Sequence, residues 1–433
     1  MGRTKRRRID REAHGLFDGG RFLFHARRAI RDLGVIGERR NCLILTLAAM
    51  TRVFESPVSV LVRGSPSTGK STLIKRSLEL HPPELQIERS SLSAKALVNK
   101  KESLAHKIFY LQEYRGGKDA RLLMRLLQSE GAIAHEFTTI RGSQRATVVA
   151  ARSGSPVIVS STTELKVFED DETRFLSIWA DESDAQNLAV LKAQLETPKR
   201  VRVPNLSRWR AVFNALVPSK GDLPLSPKWL TFVAKRVPRQ LVRVRRDWDR
   251  FLILLKAIAL TRRCPGTRTK VNVEFQDYCV AYRILEPALA ATMQGVPGQE
   301  LEIVKAVRAL SRTNRDVTVK DVARHLGRNI HVTYKYARKA INHDFLKYAP
   351  GRRERNLKPL ETTSKRPGFL PKPVIVLKNN PELGNSVRFV DPFKGKSRRI
   401  EYPSKAAQTP PSSGNEKTRL NSGFYNRYTA VND

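Results

Sequence analysis

An α/β domain built on a parallel sheet, followed by helical units, is the fold class this sequence predicts, and three observations carry it. The stretch GSPSTGKS (Gly64–Ser71) stands directly between an apolar β-branched run and a helical pattern. Short apolar runs then alternate with helical patterns as far as Ser183, the layout of a sheet covered by helices. Beyond that point the chain turns helical, with Pro198, Pro204, Pro218, Pro224 and Pro227 in the loops between helices.

Residues 1–40 are basic and mixed. NCLILTLAAMTRVF (Asn41–Phe54) is apolar all round, as a buried helix is. VSVLV (Val58–Val62) is too short for a helix and reads as a central strand. Leu85–Ile87, Ile108–Leu111, Val157–Ser160 and Phe175–Trp179 read as further strands. LLMRLLQSEG (Leu122–Gly131) reads as a helix ended by glycine, and two β-prone arms around Arg141-Gly142-Ser143-Gln144-Arg145 read as a hairpin insertion.

RQLVRVRRDWDRFLILLKAIALTRR makes a long, very basic helix, and a compact helical unit begins at Gly298. From about Lys358 the composition shifts to Pro, Ser, Asn, Lys and Arg, which predicts a disordered tail with one short strand at Val374–Leu377. The expected domains are a basic segment over 1–40, an α/β core over 41–183, a helical lid and connector over 184–297, a reader unit over 298–357 and the basic tail over 358–433.

Composition narrows the partners. The 433 residues include 80 Lys+Arg against 41 Asp+Glu, a formal net charge of +39. Such a charge repels itself in the folded state, so a polyanionic partner is expected, nucleic acid before anionic membrane. The membrane reading lacks an anchor: no apolar run approaches the ~18–20 residues of a spanning helix, and MGRTKRRRID lacks the apolar core of a secretory signal. Cys42, Cys264 and Cys279 are far apart and form no C-x-x-C, so neither a disulfide framework nor a cysteine zinc site is supported. A soluble, cytoplasmic protein is the expectation.

GSPSTGKS matches G-x-x-x-x-G-K-[ST] in the context that the motif requires, after a strand and before a helix. Gly64, Ser65, Pro66, Ser67, Thr68, Gly69, Lys70, Ser71 and Thr72 are therefore expected to cradle phosphate. Backbone N–H groups face the anion, as does the N-terminus of the following helix. Lys70 is the residue expected to reach the β- and γ-phosphates of ATP, and Ser71 to ligate Mg²⁺. KIFYLQE (Lys107–Glu113) carries Glu113 to the C-terminal edge of a strand, where it can polarise an attacking water and hold the metal through water. Gln112 stands where an acid is commoner, which weakens metal holding there. PVIVSSTTE ends in hydroxyls, so Thr162 or Thr163 is a candidate γ-phosphate sensor if this strand lies between the first and the acidic one. Arg174 heads an apolar strand after an acidic loop, and its planar charge suits phosphoryl-transfer catalysis on a neighbour's nucleotide. The competing reading pairs it with Asp170 or Asp171 at the surface.

The order of these elements resembles an AAA+ ATPase: P-loop, acidic strand end, hydroxyl sensor, arginine before the fifth strand, helical lid. More narrowly it is similar to the ATPase module of primase–helicase-like proteins of plasmids, phages and integrative elements. LAAMTRVFESPVSVLVRGSPSTGKSTLI, LLMRLLQSEG, the TTE…ETRFLSIWADES segment and RVRRDWDRFLILLKAIAL carry the likeness, from about Asn41 to Leu346. The resemblance implies that Arg245 or Arg246 of VRVRRDW touches the γ-phosphate from the lid. A solvated or DNA-facing basic helix is the competing reading. It also implies that Arg141 and Arg145, near the hairpin tip, grip a phosphate backbone inside a ring channel; an ordinary solvated hairpin tip is the competing reading. No zinc-binding or primase module precedes the core, so primer synthesis is not implied.

Residues 317–350 read as helix, glycine turn, helix and a short extended segment, the grammar of a winged helix-turn-helix. Val322, Ala323 and Leu326 form one apolar face; Val332, Ala337 and Ile341 form another. His331, Lys335, Tyr336, Arg338 and Lys339 are expected on the exposed face, suited to phosphate and groove contacts with single- or double-stranded DNA. Together these features predict a DNA-dependent ATPase, a helicase or translocase of a mobile element, assembled as a ring or filament of identical chains. The alternative is a DNA-binding regulator or loader that uses ATP as a switch without unwinding. An architectural protein with a vestigial P-loop is disfavoured by the presence of both Lys70 and Glu113.

Overall fold

In the computed structural model the described residues are 13–90, 103–114, 118–141, 144–164, 173–195, 204–216, 225, 227–239, 243–264, 272–294, 298–311, 316–342, 345–348, 360–362 and 368–402. In chain order the elements begin α1 (Phe22–Asp32), α2 (Arg39–Met50), β1 (Val60–Arg63), α3 (Lys70–Leu78), β2 (Gln86–Arg89), β3 (Ile108–Leu111) and α4 (Lys118–Glu130). Next come β4 (Ala132–Arg141), β5 (Gln144–Ser153), β6 (Val157–Thr162) and β7 (Leu176–Trp179). The helical region holds α5 (Asp184–Leu195), α6 (Leu206–Ala215), α7 (Lys228–Ala234), α8 (Val244–Leu260) and α9 (Phe275–Gln294). The chain continues with α10 (Gly298–Leu310), α11 (Val319–Leu326), α12 (Ile330–Asn342), β8 (Leu346–Tyr348), β9 (Leu360–Thr362), α13 (Pro373–Lys378), β10 (Ser386–Val390) and β11 (Ser397–Glu401).

The central sheet is parallel, with strand order β2-β3-β6-β1-β7. β1 and β3 are buried along their whole length, which is why they read as unbroken apolar runs rather than as alternating ones. β6 lies between β1 and β3, as the sensor reading of its hydroxyl end requires. β4 and β5 form a separate antiparallel hairpin paired from Ala132↔Ser153 to Arg141↔Gln144. Its turn, residues 142–143, lies outside the described residues, and so do the side chains of Arg141 and Arg145.

One apolar cluster joins α1, α2, the sheet and the helical layer of α6 to α9. The α2 helix is buried on all sides from Asn41 to Met50. Residues before position 41 belong to the same body: Phe22, Leu23, Ala26, Ala29 and Ile30 of α1 are buried in that cluster. A smaller cluster on the sheet gathers Leu61, Phe109, Leu111, Tyr114, Leu123, Leu127 and Phe175.

α10, α11, α12, β8 and β9 share a third cluster, with Ile303, Val307, Val322, Ala337, Phe345 and Leu360 at its centre. Thr318 caps α11 in a reciprocal box with Asp321, and the helix ends at Gly327. Val332, expected in this core, is exposed, whereas Tyr336, expected on the DNA-facing surface, is buried in it.

The tail expectation is corrected over residues 368–402, which are folded. Val374–Leu377 is helical, within α13, not a strand. Pro373 opens that helix at a position where its missing N–H costs nothing. Phe369, Leu370, Val376, Leu377 and Phe389 bury themselves in the main core, and Glu286 of α9 accepts the Phe369 and Leu370 backbone N–H groups at 3.0 and 2.6 Å. Buried Asp391 binds Arg283 at 3.2 Å and Arg398 at 2.6 Å, fixing the β10–β11 hairpin to α9. Among the described residues no helix is long and apolar enough to cross a membrane.

Candidate phosphate-binding site

β1 delivers the chain to Gly64 at the C-terminal edge of the sheet, and α3 begins at Lys70. Gly64 is required by crowding: a Cβ there would stand 3.0 Å from Thr68 Oγ1, 3.1 Å from Ala180 Cβ and 3.2 Å from Glu182 Oε1. Gly69, at φ +78, takes the left-handed conformation just before the helix, a region glycine enters without penalty. Ser67 is left-handed too, at φ +66, and a non-glycine residue held there is the kind of local strain that collects at ligand sites.

Lys70 Nζ donates to Gly64 O at 2.9 Å and Ser65 O at 2.6 Å. Burial lowers its pKa, and the nearby charges of Glu182 and Glu113 pull it back up. Thr68 Oγ1 donates to Ser65 O at 2.9 Å, closing the loop on itself. Pro66, exposed, lies in the loop between these anchors, and Ser71 and Thr72 occupy the first turn of α3. Burial raises the pKa of the Tyr110 phenol on β3, and Ser71 at the head of α3 works against that rise.

Neighbouring strand ends close the site. Thr162, buried, is in register with Arg63 and so stands beside the start of the loop. Its Oγ1 accepts the Glu164 N–H at 3.1 Å. Ser161 Oγ donates to Gln112 O at 2.7 Å and Tyr114 N donates to Ser161 O at 2.9 Å, which locks the Gln112–Glu113 segment to the end of β6. Glu113 is thereby held close enough to Lys70 for their charges to interact. Gln112 turns away: its Nε2 donates to Glu88 Oε1 at 2.7 Å, and Glu88 also binds Lys75 at 3.0 Å.

Glu182 has no motif to announce it, yet its Oε1 accepts the Ser65 backbone N–H at 2.6 Å. Asn41 and Glu38 hold that segment from behind. Asn41 Nδ2 donates to Trp179 O at 2.8 Å and to Glu38 Oε2 at 2.6 Å, while Asp181 N donates to Glu38 Oε1 at 2.8 Å. Burial raises the Glu38 pKa against these hydrogen bonds. Burial raises the pKa of the Tyr336 phenol of α12, and the Glu182 charge raises it further.

Arg174 sits at the other edge. Leu176 N donates to Ser59 O, so the turn before β7 lies where β1 enters the sheet and not where the P-loop leaves it. Arg174 Nη1 donates to Ser129 Oγ of α4. The start of α8, which carries Arg245 and Arg246, also meets this edge. Arg246 Nη1 donates to the Thr173 hydroxyl at this far edge, and Arg245, exposed, is its neighbour on α8.

On α12 the side chains of His331, Lys335 and Arg338 are exposed and that of Lys339 is half-buried. Lys335 and Lys339 flank the Tyr336 ring at 5.8 and 5.6 Å. Tyr336 itself, 8% exposed, serves the core.

A parallel sheet whose first strand opens into a glycine loop, with a lysine seated on the loop carbonyls and a helix behind it, defines a P-loop nucleotide-binding domain. The family model described as the MTBMA_p00010 P-loop domain matches residues 30–206. No curated protein matches the chain. Among solved structures it is similar to a full-length MCM homolog from Methanopyrus kandleri, at 15% identity and a TM-score of 0.44, covering 64% of this chain and 60% of that one. It is also similar to the Aeropyrum pernix ORC1 protein, solved in complex with DNA, at 13% identity and a TM-score of 0.26, covering 80% and 93%. A third, NtrX from Brucella abortus in complex with ADP, has 12% identity and a TM-score of 0.24, covering 73% and 71%.

Proposed function

We propose that this chain is an AAA+ ATP hydrolase that acts on DNA as a helicase or translocase, in replication or maintenance of a mobile element. The observation that carries this reading is the split of the machinery between the two edges of one sheet. Lys70, Glu113 and Thr162 gather at the P-loop edge, whereas Arg174 stands at the far edge of the same chain. An arginine so placed serves a nucleotide held by a neighbouring copy, which calls for a ring or filament.

Within one chain, the loop N–H groups and Lys70 bind the phosphates of ATP, Glu113 orients and deprotonates the attacking water, and Thr162 senses the γ-phosphate. The Ser71 hydroxyl and, through water, the Glu113 carboxylate are hard oxygen donors that fit Mg²⁺. Held there with the nucleotide, the ion would neutralise phosphate charge. The three-helix unit with β8 and β9 is read as a winged helix that presents His331, Lys335, Arg338 and Lys339 to DNA. Arg141 and Arg145 of the hairpin are read as backbone contacts in the channel. The net charge of +39 supports a polyanionic partner and a cytoplasmic place of work rather than a membrane.

Two observations favour the switch reading, an ATP-regulated DNA binder that does not unwind: Gln112 is committed to Glu88, and Glu182 occupies the Ser65 amide. ATP turnover with and without single-stranded DNA, beside a strand-displacement assay, separates the two. The helicase reading expects DNA-stimulated turnover, displacement, and loss of both in Lys70→Ala. Turnover that ignores both DNA and Lys70→Ala eliminates it.

A further inference from the structure

The turn that carries Arg174 is held from both sides by the start of α8. Arg250 Nη2 donates to the Thr173 carbonyl, Arg246 Nη1 to the Thr173 hydroxyl, and Arg243 Nη2 to the Phe175 carbonyl at 3.3 Å. One carboxylate organises two of these guanidiniums. Asp247, 0% exposed, accepts Arg243 Nε on Oδ2 at 2.9 Å and Arg250 Nη1 on Oδ1 at 2.6 Å.

Arg243, Asp247 and Arg250 fall three and four residues apart, so they lie on one face of the helix and can meet the same turn. Burial pushes the Arg250 pKa down to about 10, and the Asp247 charge works against that fall. Ion pairs this dry add little to stability over a well-packed apolar contact. What they do supply is direction. Three planar forks aimed at the residues on either side of Arg174 fix the backbone from which its side chain projects. The next residue, Phe175, is anchored by an edge-on contact of 5.2 Å with Tyr114, which follows Glu113.

We infer that Asp247 is a positioning residue for Arg174: through Arg243 and Arg250 it ties the Thr173–Phe175 backbone that carries this arginine to the helical layer of its own chain. This rests on the reading of Arg174 as an arginine that acts in trans. The consequence is directional, because a change at Asp247 harms the nucleotide site next door and spares the P-loop of the chain that carries it.

Subunit mixing tests both layers separately. A Lys70→Ala chain keeps Arg174, an Arg174→Ala chain keeps its P-loop, and their mixture recovers ATPase activity if Arg174 acts in trans. Asp247→Asn added to the Lys70→Ala chain is then expected to lower the recovered rate about tenfold or more, since small displacements of a catalytic group are costly. Added to the Arg174→Ala chain, it is expected to leave the recovered rate nearly unchanged. Arg243→Lys, which removes the fork that joins Asp247 to the Phe175 carbonyl, should show the same asymmetry more weakly and serves if Asp247→Asn does not fold. Equal loss in both arrangements, or none in the first, overturns the inference. No recovery in the parental mixture removes the trans role of Arg174, and the inference with it.

Discussion

The Glu182 carboxylate accepts the Ser65 backbone N–H at 2.6 Å, holding a P-loop amide that an incoming phosphate would use. The two residues are 117 positions apart, joined because β7 runs parallel to β1 and both end at the same edge. A carboxylate there competes with phosphate by hydrogen bond and by charge. Glu182→Gln keeps the size of the side chain and removes the charge, so nucleotide binding should tighten by about fivefold, ~1 kcal/mol. Titration with a fluorescent ATP analogue reads this directly. Equal or weaker affinity would show that Glu182 shapes the loop rather than opposing the ligand.

Glu286 ties the folded C-terminal segment to pH. Burial raises its pKa from 4.5 to about 7, against the lowering effect of the Phe369 and Leu370 amides that it accepts. A raised folded-state pKa means that the native form holds the proton more tightly than the unfolded chain does. The stabilisation is therefore complete below the unfolded value of 4.5 and is lost as pH rises through about 7. Thermal unfolding compared at pH 5 and pH 8 should show a larger fall with rising pH in the wild type than in Glu286→Gln. Parallel behaviour of the two proteins would locate the titration elsewhere, for example at Asp277, which burial raises to about 6.

How legible the molecule is from its sequence depends on chain distance. The P-loop is a local object, so β1, Gly64–Ser71 and α3 follow from one uninterrupted stretch of sequence, and buried parallel strands betray themselves as apolar runs. The hydroxyl ends of β6 were readable for the same reason. Glu182 and Asp247 were not: each looks like an ordinary charged residue until the fold sets it against Ser65 or against the Thr173–Phe175 turn. The contact of Arg246 with Thr173 is equally hidden, because helix identity says nothing about which edge of a sheet the helix start will meet. Residues 368–402 failed on composition. Their apolar residues are sparse among Pro, Asn and Lys, and the surfaces of α9, α7 and α1, supplied by distant parts of the chain, make burying them worthwhile.

The terminal helical unit depends on its capping box. Thr318 Oγ1 accepts the Asp321 N–H at 3.3 Å, and an Asp321 carboxylate oxygen accepts the Thr318 N–H at 3.0 Å. Hydrogen bonds from Thr318 keep the Asp321 pKa low. Thr318→Ala should destabilise this unit by about 1 kcal/mol, the usual cost of a lost N-cap. Hydrogen exchange over residues 316–342 reads the local loss, while nucleotide binding by the P-loop should stay unchanged. Loss of nucleotide binding in parallel would mean that this unit and the core unfold together.

Exposed and buried positions on α12 make opposite predictions for DNA binding. Lys335 and Arg338 are exposed, so on the proposed winged-helix reading replacing each by alanine removes a phosphate partner and leaves the buried core residues in place. Affinity for DNA of any sequence should fall, and the slope of log affinity against log salt should shrink by about one for each residue removed. Tyr336→Ala instead empties a buried site beside Ala337 and Phe345, costing about 3–5 kcal/mol by the measure of large aromatic truncations. That variant should lose DNA binding through unfolding of the unit, visible as lost protection in hydrogen exchange, with no simple change in salt slope. Fluorescence anisotropy at three salt concentrations, run beside the exchange measurement, separates the two mechanisms. If Lys335→Ala and Arg338→Ala leave both affinity and slope intact, α12 is not the DNA-facing helix, and its exposed face has another partner.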